Sequence, residues 1–319
     1  MSQTLRPEFE IAVGGRKIAL GSRTLIMGVL NVTPDSFSDG GGYFDADRAV
    51  EHAVKLARDG ADWIDVGGES TRPGAQPVPA EEELRRVLPV IRRVRRALPS
   101  VAISIDTTKA AVAEQALRAG ASILNDVSGL RFDPRLADVA RKSHAPLILM
   151  HLRGTPATMQ RGPFARNIWR SLAGGLGLSI RRALAAGVKR SQVILDPGLG
   201  FGKSRRQNYE ILGGLQRLQR FDFPLLIGAS RKSFVQAIVA GEELDASAAV
   251  SPGAHYWPMA KASRGKRRKV SAPDAALLMG DAALVVAAIL GGAHIIRVHD
   301  VAAAVPAVRV ADALLAAHR

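Results

Sequence analysis

Eight short runs of apolar residues, many of them β-branched, recur along this chain of 319 residues. They lie near 24–30, 63–66, 101–105, 122–125, 146–150, 193–195, 224–228 and 295–298. Between them are stretches with apolar residues at three- and four-residue spacing, which is typical of helices. The clearest of these stretches are 46–59, 81–97, 109–119 and 281–290. The alternation predicts a parallel sheet that closes as a single (β/α)8 TIM barrel, with a doubly wound open sheet as the alternative.

Polar groups follow these runs at the point where each predicted strand ends. They are Asn31, Gly67 with Glu69, Asp106, Asn125, His151, Asp196, Ser230 with Lys232, and Arg297 with His299. In a barrel of parallel strands, all these ends meet on the face where active sites lie. One or two of them would suit helix caps or loops, but eight together indicate a functional site.

The composition is that of a soluble globular protein, with 47% apolar and 23% charged residues. The chain has no cysteine, which excludes disulfides, thiolate metal sites and cysteine nucleophiles. No run of about twenty uncharged apolar residues occurs, and the first residues lack the apolar core of a secretory signal. We therefore expect a cytoplasmic enzyme with no membrane association.

The net charge of +15 would suit either a nucleic-acid partner or anionic small-molecule substrates. Much of the excess lies on one predicted helix, at Arg85, Arg86, Arg92, Arg93, Arg95 and Arg96. Because apolar residues are interspersed at helical spacing, we interpret this basic run as a solvated helix face and expect no nucleic-acid partner.

The glycine-rich segment Gly198–Ser204 resembles a phosphate-binding P-loop but is one residue too short before its Gly-Lys pair. It also carries Lys203 where the dinucleotide fingerprint needs its third glycine. Nor does any histidine form the His-Glu-x-x-His pattern of a zinc enzyme. The sequence supports neither an ATPase, nor a nicotinamide enzyme, nor a zinc hydrolase.

Eight segments, in order, carry a resemblance to a known family. They are Met27–Gly41, Trp63–Gly74, Ile105–Lys109, Leu124–Val127, Leu149–His151, Leu195–Lys203, Gly228–Ser233 and Ile296–Asp300. Together they resemble the signature segments of dihydropteroate synthase, a family of pterin-binding enzymes of folate biosynthesis. The resemblance implies a transferase that joins 6-hydroxymethyl-7,8-dihydropterin diphosphate to p-aminobenzoate, releasing 7,8-dihydropteroate and pyrophosphate.

The resemblance also assigns roles to individual positions. The implied catalytic residues are Asp106, Lys232, Arg297 and His299. The implied pterin contacts are Asp106, Asn125, Met150, Asp196, Phe201 and Lys232. The implied diphosphate contacts are Asn31, Arg72, Arg297 and His299. The implied wall of the p-aminobenzoate pocket is Phe37, Ser70, Thr71, Arg72, Pro73, Ser230 and Lys232. We expect the loops 32–43 and 69–78 to close over the bound diphosphate.

Further expectations concern the metal, the inhibitors and the assembly. Asn31 matches the family's magnesium ligand, so we expect a Mg²⁺ cofactor shared with substrate phosphates. Sulfonamides, which compete for the p-aminobenzoate pocket in the family, are expected inhibitors. We expect a homodimer, as is common in the family.

One stretch departs from the family pattern. Residues 246–276 form an insertion between the seventh and eighth strands, within a single barrel domain spanning 1–319. This insertion carries six lysines and arginines between Lys261 and Lys269 with no acid among them, and such a run is typical of a flexible, solvated loop.

Two other functions stay open at this point. A pterin-binding barrel of the methyltransferase type would share the pterin residues, although the loop around Asn31 and the Ser70–Arg72 run argue against it. A catalytically silent paralogue or a nucleic-acid binder would have no evident use for the whole set of polar strand ends.

Overall fold

A computed structural model describes residues 6–33, 46–71, 75–160, 163–244 and 274–318 of the chain. Within these ranges the strands are β1 Phe9–Val13, β2 Arg16–Leu20, β3 Leu25–Asn31, β4 Trp63–Gly67, β5 Ala102–Asp106, β6 Ile123–Asp126, β7 Leu147–Met150, β8 Val193–Asp196, β9 Leu226–Gly228 and β10 Ile295–Val298. The helices are α1 Ala46–Arg58, α2 Ala80–Ala97, α3 Ala110–Arg118, α4 Leu136–Ser143, α5 Ile168–Ala185, α6 Arg205–Gly213, α7 Ser233–Val239, α8 Asp274–Leu290 and α9 Val301–Ala316.

The strands β3 to β10 form one parallel sheet in which consecutive strands are neighbours and β10 returns to pair with β3. The last seam, between β8 and β9, is joined by a parallel bridge from Leu195 to Leu225. The Leu195 N–H also donates to the Pro224 carbonyl at 2.9 Å. The sheet is therefore a closed barrel, which confirms the predicted (β/α)8 fold and rules out the open sheet.

Side chains on each barrel strand alternate between the outside and the inside of the barrel. Outward residues such as Ile64 and Val66 pack with the surrounding helices in one extended core. Inward residues near the strand starts, such as Trp63, Ile123 and Ile148, form a separate apolar cluster. This cluster fills the amino-terminal half of the barrel, so a ligand can enter only from the carboxyl-terminal end.

An antiparallel hairpin, β1 with β2, closes the bottom of the barrel and was not predicted from the sequence. Its two-residue turn is Gly14-Gly15, with φ of +57° and +79°, values that glycine adopts without steric cost. Ile11, Val13 and Leu20 from the hairpin join the apolar cluster inside the barrel. The hairpin thus covers apolar side chains that the strand starts would otherwise expose.

A buried guanidinium fastens the segment before this hairpin to the barrel. Arg6 is only 4% exposed, and its nitrogens donate to the Thr24 hydroxyl at 2.6 Å and to the Ala293 carbonyl at 2.9 Å. The same side chain pairs with Asp312 on α9 at 3.2 Å. Arg6 therefore links the chain start, the β3 entry, the β10 entry and the last helix.

We expect Arg6→Ala to lower the free energy of unfolding by about 2–4 kcal/mol, because it leaves the Ala293 carbonyl without its Arg6 donor and removes the cation that pairs with Asp312. Urea unfolding followed by circular dichroism measures this change. The matched control is Arg23→Ala, which removes an exposed pair with Asp62 and should cost less than about 1 kcal/mol. Equal losses in the two variants would contradict the assigned role of Arg6.

Helices α1, α2 and α3 lie within one residue of the stretches predicted for them, whereas α8 begins at Asp274, seven residues before the predicted start at 281. Residues 274–276 of the predicted insertion 246–276 therefore belong to the first turn of α8. The stretch 246–273 lies outside the described residues, so its flexibility stays a prediction. Among the described helices, none is both long enough and apolar enough to cross a membrane.

Candidate active site

The inward face of the barrel strands changes from apolar to polar toward the carboxyl-terminal end. Two residues after the apolar Trp63, the inward position of β4 holds Asp65, and the same change occurs on neighbouring strands. The polar layer formed in this way comprises Asp65, Ser104, Asp106, Asn125, Asp196 and Arg297. The five residues other than Arg297 are all at most 7% exposed. A barrel interior that needed only packing would not place so many hydrogen-bonding groups together.

Arg297 organises this layer from β10. Its Nε donates to Asp65 Oδ2 at 2.6 Å, and its Nη2 donates to Asp106 Oδ2 at 2.9 Å. Asn125 Nδ2 donates to the same oxygen of Asp65 at 3.0 Å. The layer is therefore a network that joins four strands.

Asp65 is the functional residue that the sequence analysis missed. It is fully buried, and its Oδ1 has no hydrogen-bond partner among the described residues. The available signal was an acid placed between Ile64 and Val66 within an apolar strand, since the period of two turns it inward. Asp65 lies within β4 and not at its end. It accepts from both Arg297 and Asn125 and so holds these two side chains in place.

The electrostatics of the layer favour ligands that carry hydrogen-bond donors. Burial and the neighbouring Asp65 raise the pKa of Asp106 to about 8, although Arg297 opposes the rise. Burial also raises the pKa of Asp196, against the Gly198 N–H and Lys232. Burial lowers the pKa of Arg297, but Asp65 and Asp106 more than offset this, so its pKa is raised. A neutral ligand edge rich in N–H groups would satisfy the acids without adding charge.

The raised pKa of Asp106 makes the stability of the protein depend on pH. The folded state holds this proton more tightly than the unfolded state, so the stabilisation is complete below about pH 4 and is lost as the pH rises through about 8. Replacing the acid by an amide removes this dependence. We expect the free energy of unfolding of the wild type to fall between pH 5 and 8 by at least about 1 kcal/mol more than that of Asp106→Asn.

Urea unfolding at several pH values tests this expectation. The control is Asp222→Asn, at a surface position where Asp222 is 78% exposed and adopts a left-handed backbone that asparagine also tolerates. Parallel stability curves for the wild type and Asp106→Asn would contradict the assignment.

An apolar cluster lies beside the polar layer and includes Met150 and Phe201, two of the residues predicted to contact the pterin. Met150 packs with Val127, Leu152 and Met159, and Phe201 packs against this group. The Lys232 ammonium lies 5.2 Å from the centre of the Phe201 ring and donates to the Leu199 carbonyl at 3.0 Å. Burial lowers the pKa of Lys232 to about 8, although Asp196 opposes the fall.

Lys203 is a second residue whose role the sequence analysis missed. It is buried, and its ammonium donates to the carbonyls of His151, Gly198 and Phe201 at 3.1, 2.7 and 3.0 Å. Burial lowers the pKa of Lys203 to about 7. The amine thus fastens the glycine-rich loop after β8, which carries Phe201, to the exit of β7.

His299 and Ser230 meet at the rim of the barrel. β10 ends at Val298, so Arg297 lies within the strand and His299 lies just beyond its end. Arg297 points into the polar layer, whereas His299 Nδ1 lies 3.3 Å from Ser230 Oγ. The turn after Ser230 includes Arg231 at φ +54°, whose N–H donates to Asp281 Oδ2 on α8 at 2.9 Å.

Several predicted site residues lie outside the described part of the chain. They are Phe37, Arg72 and Pro73. The loops 32–43 and 69–78 are each described only in part, so their predicted closure is untested. Asn31 is described and ends β3 at the rim, half-buried, with its side chain on the inward face.

A cavity of about 420 Å³ lies next to this site without coinciding with it. Arg131, Arg153 and the buried His151 line it, and among the predicted pterin residues it shares only Met150. Both terminal nitrogens of Arg131 donate to backbone carbonyls, those of Leu152 and Gly154, so this arginine shapes the loop after β7.

Comparison with known proteins identifies the class of enzyme that this barrel belongs to. The pterin binding enzyme family matches residues 27–299. A dihydropteroate synthase from Synechocystis is 42% identical over 304 residues, covering 95% of this chain and 94% of the relative. The chain therefore belongs to the pterin-binding enzyme family and, within it, to the dihydropteroate synthases.

Two solved structures agree with this assignment. A Yersinia pestis dihydropteroate synthase with a sulfonamide drug complex superposes with a TM-score of 0.80 at 37% identity, covering 97% of this chain and all of that chain. A Xanthomonas albilineans dihydropteroate synthase with 4-aminobenzoic acid also gives 0.80, at 36% identity, covering 97% and 99%. The similarity thus extends over the whole barrel.

Proposed function

We propose that this chain condenses 6-hydroxymethyl-7,8-dihydropterin diphosphate with p-aminobenzoate, giving 7,8-dihydropteroate and pyrophosphate. The observation that carries the proposal is the buried polar layer of Asp106, Asn125 and Asp196 beside the apolar cluster that includes Met150 and Phe201. A pterin has a flat apolar ring and one edge of amidine-like donors and acceptors, which this combination suits.

In the proposed complex the pterin edge lies against Asp106, Asn125 and Asp196, and its ring lies between Met150 and Phe201. The Asn125 side chain donates from Nδ2 to Asp65, which leaves its side-chain oxygen Oδ1 to accept from the ligand. Asp196 Oδ1 accepts from the Gly198 N–H at 2.7 Å, which leaves Oδ2 for the ligand. Fixed acceptors of this kind need little reorganisation when the pterin binds.

The diphosphate end of the substrate would lie toward the rim of the barrel. Arg297 uses its Nε for Asp65 and its Nη2 for Asp106. Its remaining nitrogen, Nη1, has no partner among the described residues. This third nitrogen and the nearby His299 would therefore bind the diphosphate. Because the guanidinium is held by two acids, it stays charged and oriented while pyrophosphate leaves.

Asn31 fits the single protein ligand proposed for Mg²⁺. Its carboxamide faces the barrel mouth, and no described residue donates to or accepts from it. No group of three histidine, aspartate or glutamate side chains among the described residues could hold a metal by itself, so the remaining ligands would be phosphate oxygens and waters. The bound ion would neutralise charge developing on the departing pyrophosphate.

The reaction breaks the bond between the pterin methylene carbon and the diphosphate oxygen, and the electron pair leaves with pyrophosphate. The aryl amine then attacks the methylene carbon and loses a proton. No protein nucleophile is required, so the chain's contribution is placement and charge stabilisation. Ser70, Thr71, Ser230 and Lys232 would form the described part of the p-aminobenzoate pocket, where sulfonamides are expected to compete.

The proposal predicts that pyrophosphate release from the dihydropterin diphosphate requires both p-aminobenzoate and magnesium, with 7,8-dihydropteroate as the product. Asp196→Asn should lower kcat/KM for the pterin substrate by about 100-fold, because a charged acceptor for the pterin edge is lost. A coupled pyrophosphate assay with chromatographic product analysis measures both effects. Asp222→Asn, the same change at the surface, should leave kcat/KM unaltered.

Other outcomes would point to different functions. Pterin binding without pyrophosphate release would contradict the proposal and favour a catalytically silent paralogue. Methyl transfer from a reduced folate, without dihydropteroate formation, would favour the methyltransferase type instead.

We also propose that the enzyme is a homodimer. Large apolar side chains remain exposed on the last two helices, namely Leu278, Met279 and Leu290 on α8 and Val310 and Leu314 on α9. Met279 is 73% exposed and Val310 is 58% exposed, which supports a contact between two copies at this surface. A cytoplasmic location stays a prediction from the sequence.

Sedimentation velocity tests the assembly. The wild type should sediment as a dimer, whereas Met279→Glu combined with Val310→Glu should sediment as a monomer, because two charges per copy would be buried at the contact. A monomeric wild type would contradict the proposal.

A further inference from the structure

A second, partly buried charge cluster lies outside the polar layer, where the exits of β4 and β5 meet helix α2. The Lys109 ammonium donates to Glu83 Oε2 at 2.6 Å and also pairs with Glu69 Oε2. Glu83 is fully buried, and its Oε1 has no partner among the described residues. Burial raises the pKa of Glu83, which Lys109 opposes, while the two carboxylates keep the pKa of Lys109 raised despite burial.

The cluster is connected to the pterin side of the site through β5. Lys109 comes three residues after Asp106, whose carboxylate lies in the polar layer. Between them, the Thr107 N–H donates to the Asn125 carbonyl at 3.1 Å. The backbone that carries Lys109 is thus fixed to two of the residues proposed to bind pterin.

The cluster is connected to the p-aminobenzoate side through Glu69. This residue immediately precedes Ser70 and Thr71 on the loop after β4. Its Oε2 also accepts from the Val78 N–H at 3.3 Å, so one carboxylate ties both ends of the 70–77 segment. A pair of acids bound to one lysine therefore lies between the two proposed substrate subsites.

The stem of this loop is held closely against α2. Arg86 donates to the Gly68 carbonyl at 2.9 Å. A Cβ atom at Gly68 would lie 2.7 Å from the Val87 side chain, so only glycine allows this approach. These contacts fix where the loop leaves the barrel, but they do not reach the residues beyond Glu69.

Packing of α2 against the exit of β5 needs only the pair of Glu83 with Lys109. Glu69 is a second acid on the same ammonium. Among the described residues, its carboxylate forms one other hydrogen bond, which it accepts from the Val78 N–H of its own loop. Glu69 therefore holds the loop in position and is not needed for the packing of α2. We propose that Glu69 and Lys109 are positioning residues that fix Ser70 and Thr71 for p-aminobenzoate by anchoring their loop to the β5 exit.

This inference rests on the proposed function, because it assigns the 70–77 segment to the p-aminobenzoate pocket. Its test uses Glu69→Gln and Glu69→Ala in the full-length enzyme. Glutamine keeps an acceptor for the Val78 N–H but loses the ion pair, whereas alanine loses both. Both variants leave the buried Glu83–Lys109 pair intact, so the fold should survive.

We expect KM for p-aminobenzoate to rise about threefold in Glu69→Gln and about tenfold or more in Glu69→Ala. The dissociation constant of the pterin diphosphate, measured by calorimetry, should stay within about twofold of the wild type. Lys109→Arg, which keeps the charge, should retain more p-aminobenzoate affinity than Lys109→Met. The matched control is Glu114→Gln, in an exposed pair with Arg118 on α3, which should change neither constant.

Unchanged KM for p-aminobenzoate in both Glu69 variants would overturn the inference, as would an equal loss for both substrates. Failure of the proposed function would give a different result. The wild type itself would then form no dihydropteroate, whatever residue stands at position 69.

Discussion

The site depends on one guanidinium that two buried carboxylates share. Arg297 bridges Asp65 on β4 and Asp106 on β5 from its own position on β10. These acids would be costly to bury without a cation, and Arg297 would be costly to bury without them. Because Asp65 also accepts from Asn125, removing Asp65 leaves the Asn125 amide without this acceptor and leaves Arg297 with Asp106 alone. The network fixes the geometry of the barrel mouth before any ligand arrives.

The barrel separates the tasks of stability and chemistry along its axis. Its amino-terminal half is filled by apolar side chains and closed by the β1–β2 hairpin, with Arg6 fastening the chain start. This packing supports a carboxyl-terminal half in which Asp65 Oδ1 and Ser104 Oγ have no hydrogen-bond partner among the described residues. Buried groups without partners are rare in proteins, and they concentrate where function requires them. The chain thus retains destabilising polar groups at the place where a polar ligand would satisfy them.

Much of this arrangement could be predicted from the sequence, because the strands are short apolar runs and their ends are polar. The exits at Asn125 and Asp196 stood out for that reason. Asp65 did not, because it lies within an apolar run and its role depends on Arg297, more than two hundred residues away. Lys203 was assigned to a glycine-rich loop, but one of its carbonyl partners, His151, lies 52 residues earlier in the chain, and only the fold brings the two together. The hairpin did carry a sequence signal, because Ile11 and Val13 alternate with exposed residues directly before the turn Gly14-Gly15.

The polar layer and the adjoining apolar cluster are proposed to bind the pterin. A crystal structure of the enzyme with 6-hydroxymethyl-7,8-dihydropterin diphosphate tests this site most directly. We expect the pterin edge against Asp106, Asn125 and Asp196, with Arg297 still bridging Asp65 and Asp106. A pterin bound instead in the neighbouring cavity of Arg131 and Arg153, with the polar layer unchanged, would contradict it.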